Sequence, residues 1–239
     1  MCIRDSPSWR CFERYYYARG YNRDPAKIIA REGKSKYQRD FRPISGAVMD
    51  WKAAVGSYQM DATQADIFLV SRTDRNAIVG RPYIYLAVDT ASHLIAGVHI
   101  GFEAGQQSVI SCLANAAEDK TAFCAKYGVE ISADQWPSRG VPYEIITDQG
   151  REFTGEGMGA FCMRYGTELH ILPPFRPDQK GIVEKTFDLI QSRYKPLLRG
   201  KGVIEPDAQE RWATDYSKQA VLNLDEFTAV VINCIIAIN

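Results

Sequence analysis

The order of strand-like and helix-like runs constrains this chain more than any other feature. Residues 58–70 alternate apolar and polar side chains as a strand does, 83–88 read as a second strand and 93–100 as a third. Residues 89–92 supply the turn between the last two. Residues 106–127 then repeat Val109, Ile110, Leu113, Ala116, Ala117 and Phe123 at helical spacing, and Gly128 closes that helix. A short buried strand at 143–147, a helix at 158–165 and a strand at 168–172 follow. Pro173, Pro174 and Pro177 break the chain before a helix at 178–198. A polar stretch covers 200–217, and a last helix begins near Asp225. Three meandering strands followed by alternating helix and strand imply an α/β fold, a mixed sheet with helices on its faces.

Ahead of this region the chain differs in kind. The net charge of the whole is zero, yet residues 1–56 hold 12 basic and 6 acidic residues, while 57–239 hold 17 and 23. A basic arm before an acidic domain suits an arm that meets phosphates and a core that gathers carboxylates around cations; a solvated basic linker fits the charge equally well. Within the arm, Asp24 and Pro25 open a short helical pattern through Ile28 and Ile29 to Glu32, and Gly33 ends it. Residues 1–6 resemble a translated sequencing-adapter scar and are set aside as non-native. The division is then a basic helical arm and linker at 7–56, a core at 57–200, and at 201–239 a linker and the start of a truncated helical region. The apolar run before Asn239 has no stop signal, so the whole reads as a piece of a longer protein.

No apolar run approaches the roughly 18 residues that span a bilayer, and no secretory signal opens the chain. A cytoplasmic protein is the expectation. None of the six cysteines forms a Cys-x-x-Cys pair or stands near a histidine at zinc-ligand spacing, so they read as reduced thiols.

Three carboxylates carry the chemistry. Asp61 sits inside the first strand among apolar neighbours, where an uncompensated charge is costly. Asp148 ends the buried strand Ile145-Ile146-Thr147, at the edge where α/β sheets place their sites. Glu184 lies beside the apolar stripe Val183, Phe187, Ile190 and Tyr194 of the helix after the prolines. Singly, each has a plain reading: a strand-end cap, a turn residue and a solvated helix charge. Together, three hard oxygen ligands on separate elements suit magnesium, and two such ions can clamp the attacking and leaving oxygens of a phosphoryl displacement.

Asp148 and Glu184 are separated by 35 residues. That spacing, with the stretches 59–71, 78–89, 147–153 and 173–187, resembles the TnsB-type transposases of Tn-seven-like transposons, in the superfamily of retroviral integrases and DDE transposases. The run Pro173-Pro174-Phe175-Arg176-Pro177-Asp178-Gln179-Lys180-Gly181-Ile182-Val183-Glu184 is the most specific part. Gly80-Arg81-Pro82, Asp215-Tyr216 and residues 224–228 fit as well, and the likeness covers residues 12–239. It implies a ribonuclease H-like core at 57–200, with Asp61, Asp148 and Glu184 as catalytic triad and metal ligands. It implies two Mg2+ ions, with Mn2+ as a substitute. The reaction implied is hydrolysis at transposon 3′ ends, followed by attack of the freed 3′ hydroxyl on target DNA. Implied partners are transposon-end and target DNA, further copies of the chain on DNA, a AAA+ ATPase regulator and a partner endonuclease subunit, in the bacterial nucleoid. The family's end-binding domains before the core, and its small barrel and tail after it, are not in this sequence.

Other acids must be weighed against the three. Asp188 lies one turn beyond Glu184, Glu152 is close to Asp148, Asp66 falls on the opposite strand face, and Asp89 reads as a turn former. His93, His99 and His170 read as strand histidines rather than ligands. Basic residues crowd Glu184, and Arg176, Lys180, Lys185, Arg193 and Lys195 are the candidate DNA contacts, with a solvated helix face as the plain alternative. Two other functions compete with the transposase: a structure-specific nuclease on the same fold, and a DNA-binding scaffold without catalysis.

Overall fold

A computed structural model describes residues 8–21, 24–41, 55–153, 155–173, 180–205 and 214–239. These fall into two compact units, one up to Phe41 and one from Val55 onward. The first holds α1 (Trp9–Ala18), α2 (Pro25–Glu32) and a short α3 (Lys34–Lys36) that runs into a π-helical turn, Tyr37–Phe41. Asp24 caps α2, accepting from the Ala26 N–H at 3.0 Å, Pro25 opens it, and Gly33 ends it at φ 86°. No residue of α1 is buried, and its rings pack along its own surface, as Phe12 stacks with Tyr16.

The second unit runs β1 (Ser57–Gln64), β2 (Leu69–Val70), β3 (Ile78–Gly80), β4 (Tyr83–Asp89), β5 (Ile95–Gly101), α4 (Gln106–Ala117), α5 (Lys120–Ala125), β6 (Glu144–Thr147), α6 (Glu156–Tyr165), β7 (Glu168–Ile171), α7 (Gly181–Leu197) and α8 (Leu224–Ile236). A 3-10 turn, Tyr216–Gln219, precedes α8. Five strands form one sheet in the order β5-β4-β1-β6-β7. The first three pair antiparallel, and β1, β6 and β7 pair parallel. This is the mixed sheet of the ribonuclease H-like fold, with helices on its faces.

Alternation along the strands divides the core in two. Ile84, Leu86 and Val88 pack with Val183, Phe187, Ile190 and Tyr194 of α7 and with Phe227, Val231 and Ile235 of α8. Tyr58, Met60, Tyr85 and Ala87 pack with Val109, Cys112 and Leu113 of α4 and Met158 of α6. A Cβ on Gly97 would stand 2.6 Å from the Cys112 carbonyl oxygen and 2.9 Å from the Ala116 Cβ, so glycine is what lets α4 lie against β5.

Several boundaries differ from the sequence reading. The first strand stops at Gln64 instead of running to Val70. There the chain turns out of the sheet: the Ala65 N–H donates to the Pro82 carbonyl, and Asp66 is held by Arg81 at 2.6 Å and Lys195 at 2.8 Å. Asp66 is therefore outside the strand whose alternation was used to place it. The single helix expected at 106–127 is two, because Glu118 is extended and Asp119 caps α5, accepting from the Ala122 N–H at 3.0 Å. His93 lies in the turn at φ 62°, and β5 begins at Ile95. Helix α7 begins at Gly181, and the prolines at 174 and 177 lie outside the described residues. Asp89 does form its turn, accepting from the N–H groups of Ala91 and Ser92, and it also accepts from the Gly56 N–H at 2.6 Å. Among the described residues no cysteine is in a disulfide, and no helix is long and apolar enough to cross a membrane.

Candidate active site

Asp61 and Asp148 owe their meeting to register. Strands β1 and β6 run parallel with Ser57 opposite Glu144, Tyr58 opposite Ile145 and Gln59 opposite Ile146. Continuing that register by two residues sets Asp148, just past the end of β6, level with Asp61 and on the same face. Side chains of equal parity on neighbouring parallel strands point the same way, so the two carboxylates face one space at the C-terminal edge of the parallel strands. Asp148 is further fixed by its own turn, where its Oδ1 accepts from the Gly150 N–H at 2.9 Å.

Glu184 comes from the first turn of α7. No side chain of α7's own N-terminus caps it. Instead the Gln59 side-chain carbonyl, two residues before Asp61, accepts from the Val183 N–H at 3.1 Å. That bond satisfies one of the orphan donors of the helix start and ties Glu184's neighbour to the central strand. The buried stripe read from sequence is as expected: Val183, Phe187, Ile190 and Tyr194 are all buried, and Glu184 is exposed beside it.

The Lys180 ammonium joins the acidic pair, at 2.9 Å from Asp61 Oδ2 and 2.8 Å from Asp148 Oδ2. The charges respond accordingly. Burial pushes the Asp61 carboxyl above its usual range, aided by the Asp148 charge and against the pull of Lys180. Burial also raises Glu184, with Asp61 and Asp188 adding to it and Lys180 opposing. For Asp148 burial works upward, but the hydrogen bonds from Lys180 and from the Gly150 N–H outweigh it and hold the carboxyl below its ordinary value. Lys180 itself is held above the usual lysine value, its two carboxylates outweighing burial.

Whether these residues fit a divalent cation rests on the donor set and on what it already holds. Two carboxylate oxygens converge on one positive group, and a third carboxylate on α7 lies within reach of their field. Hard oxygen donors of this kind suit magnesium or manganese, which take one or two carboxylates and keep waters. As the side chains stand, with Lys180 between the two aspartates, no group of three or more His, Cys, Asp or Glu residues able to hold a metal ion is formed among the described residues. The donor type suits such an ion, and in this arrangement the Lys180 ammonium occupies the two aspartate oxygens.

The remaining candidates separate. Asp188 is exposed and acts on Glu184 only through its charge. Glu152 lies beside the Asp148 turn, where a Cβ on Gly150 would meet it at 3.1 Å. Lys185 is exposed on α7. Arg193 donates to the Ala237 carbonyl at 3.1 Å, and Lys195 is paired with Asp66. Arg176 lies outside the described residues. Sequence reasoning missed Gln59, whose signal was a buried amide in an apolar strand two residues from the acid. It also missed the bridging place of Lys180.

The sheet is ribonuclease H-like, with two aspartates level at its parallel edge and a glutamate at the start of α7. The model of the TnsB C-terminal domain family matches residues 59–200, and the chain belongs to that family. It is 36% identical over 235 residues to the transposon Tn7 transposition protein TnsB of Escherichia coli, covering 97% of this chain and 33% of that protein. It is 24% identical over 200 residues to the transposase for transposon Tn552 of Staphylococcus aureus, covering 80% of this chain and 38% of that protein. The chain thus spans about a third of the length of these curated relatives. Among solved structures, the simian T-cell lymphotropic virus intasome in complex with PP2A regulatory subunit B56 gamma is 15% identical at a TM-score of 0.43, covering 70% of this chain and 46% of that one.

Proposed function

We propose that this chain is the catalytic core of a DNA transposase, with Asp61, Asp148 and Glu184 as ligands of two magnesium ions, manganese substituting. The reaction is hydrolysis at transposon 3′ ends and transfer of the freed 3′ hydroxyl to target DNA. One observation supports this most: Asp61 and Asp148 converge on a single cationic group at the parallel edge of the sheet, with Glu184 close enough for the Asp61 charge to raise its pKa. Kinship points the same way, since one relative is a transposition protein and the other a transposase.

When bound, divalent cations supply the positive charge that an in-line phosphoryl displacement requires. The chain's own residues hold and orient. Strands β1 and β6 fix the two aspartates side by side, and Gln59 fixes the first turn of α7, so Glu184 approaches from a set direction. No side chain needs to form a covalent bond to DNA, because positioning and charge stabilisation carry the rate. Exposed Lys185 is the phosphate contact this reading favours among the described residues; Arg176 lies outside them, and Arg193 and Lys195 have partners within the chain. We further propose, as expectations from the sequence, assembly of several copies on DNA, a AAA+ ATPase regulator and an endonuclease partner, in the bacterial cytoplasm.

The test offers the chain a labelled duplex with a free 3′ hydroxyl and a plasmid target, in magnesium or manganese. Joined product should form with the wild type and with Asp188→Asn, and not with Asp61→Asn, Asp148→Asn or Glu184→Gln. Cut plasmid without joined product would mark a nuclease, and DNA binding without either would mark a scaffold. Joining that survives Glu184→Gln but is lost in Asp188→Asn or Glu152→Gln would show that the third ligand is misassigned.

A further inference from the structure

Lys180 is placed where a lysine should be uncomfortable. It is the N-cap of α7, at φ −109° and ψ 0°, and so stands at the positive end of that helix's dipole. Its side chain is only 14% exposed. Lysines are seldom buried unless paired, and taking an ammonium out of water costs several kcal/mol. Two charge-assisted hydrogen bonds offset both penalties: Nζ donates to Asp61 Oδ2 at 2.9 Å and to Asp148 Oδ2 at 2.8 Å. One positive charge thus sits at the point where carboxylates from two strands converge.

We propose that Lys180 is a resident counter-ion of the acidic pair, holding Asp61 and Asp148 together in the metal-free chain and giving way when a divalent cation binds them. The inference rests on the reading of these acids as metal ligands and adds a step to it. An ammonium and a dication cannot both take the same two oxygens, since like charges at that spacing repel strongly. Metal entry therefore requires the ammonium to turn out. The side chain can do so without moving α7, because four methylenes separate the charge from the helix start. Once out, the ammonium remains beside the site, where an approaching phosphate is the partner that replaces the lost carboxylates. The site is closed by its own chain at rest, and metal and DNA each relieve part of the exchange.

Binding equilibria on the purified chain without DNA test this. The free Mn2+ signal in electron paramagnetic resonance reports metal affinity, and thermal melting in chelator reports the metal-free state. If the closed arrangement is favoured tenfold, Lys180→Gln should bind Mn2+ about tenfold more tightly than wild type, because the competing population is gone. Its metal-free melting temperature should fall by about 3–6 °C, the shift expected in a chain of this size for the roughly 1.4 kcal/mol that a tenfold preference represents. Lys180→Arg keeps the charge and should keep both values near wild type. In an Asp61→Asn background, Lys180→Gln should change the melting temperature less than it does alone. Equal Mn2+ affinity in wild type and Lys180→Gln, with binding abolished by Asp148→Asn, overturns the counter-ion and leaves the metal site standing. Equal tightening in the Arg and Gln variants also overturns it, since charge would not be the cause. Absence of Mn2+ binding in every variant overturns the metal reading itself, and displacement with it.

Discussion

The buried side-chain carbonyl of Gln59 accepts the Val183 N–H at 3.1 Å, so a residue of the central strand caps the helix that carries Glu184. Helix starts leave their first N–H groups without intrahelical partners, and α7 has no capping side chain of its own. Gln59→Leu keeps the volume and removes the acceptor. It should destabilise the chain by about 1–3 kcal/mol, the cost of a buried donor left unmade. A urea titration reads the loss, and metal affinity should fall with it, because Glu184 follows Val183 directly. An unchanged urea midpoint would show that the bond holds nothing.

Much of this arrangement was legible from residue order. Periodicities of two and of three to four are local, so the strand and helix order of the sheet and the buried stripe of α7 could be read directly. What failed depended on distant partners. Nothing near Asp66 says that Arg81 and Lys195 will take its carboxylate and end β1 early. The break between α4 and α5 had a local sign, Asp119 as a cap, but a continuous apolar pattern concealed it. For the site, Asp61 and Asp148 stood out by type and position, yet their level placement follows only from the β1–β6 register. Lys180 was read as a phosphate contact because it lies among basic residues; where its long side chain turns is decided by acids 119 and 32 residues away in the chain.

Lys120 gives a pH signature far from the acidic site. Its ammonium is buried and donates to the carbonyls of Asn115, Ala116 and Glu118, plugging the end of α4. Burial lowers its pKa to about 8. The unfolded chain therefore binds more protons at this position between that value and the ordinary lysine value of about 10.4, and the contribution of Lys120 to stability rises with pH across that window. Burial raises the thiols of Cys112 and Cys124, which work in the opposite sense, so the comparison must be with Lys120→Met, where they are retained. From pH 8 to 10 the wild type should gain on the variant by an amount on the order of 2 kcal/mol in denaturant titrations. A difference that stays flat over this range would mean that Lys120 titrates as an exposed lysine does.

Lys185 is the described residue on which a DNA contact is most simply tested. It is exposed one position beyond Glu184. Lys185→Ala should weaken duplex binding by a similar factor for all sequences, and the slope of log affinity against log salt should flatten by about 0.9. Fluorescence anisotropy at several salt concentrations measures both. A loss confined to one sequence, or a slope that does not change, would exclude a phosphate contact.

The three acids should separate by sign when each is neutralised without metal. Burial raises the Asp61 and Glu184 carboxyls, so in the folded chain they hold their protons more tightly than when unfolded. Their contribution is fully present below the unfolded pKa and is lost as pH rises through the folded one, so at pH 7 their charges count against the fold. Asp148 is the opposite case: hydrogen bonds from Lys180 and Gly150 overcome burial and lower it, so its contribution is present above the unfolded pKa and is lost as pH falls through the folded one. In chelator at pH 7, Asp61→Asn and Glu184→Gln should therefore melt above wild type and Asp148→Asn below it. The gain of the first two should vanish below about pH 4, where the wild-type carboxyls are themselves protonated. Magnesium should reverse the order: at a hundredfold excess over its dissociation constant a ligand of the folded state adds about 2.7 kcal/mol, and only the wild type should collect it in full. If all three variants shift the metal-free melting temperature in the same direction, Lys180 does not discriminate between the two aspartates, and the charge distribution described for this site is wrong.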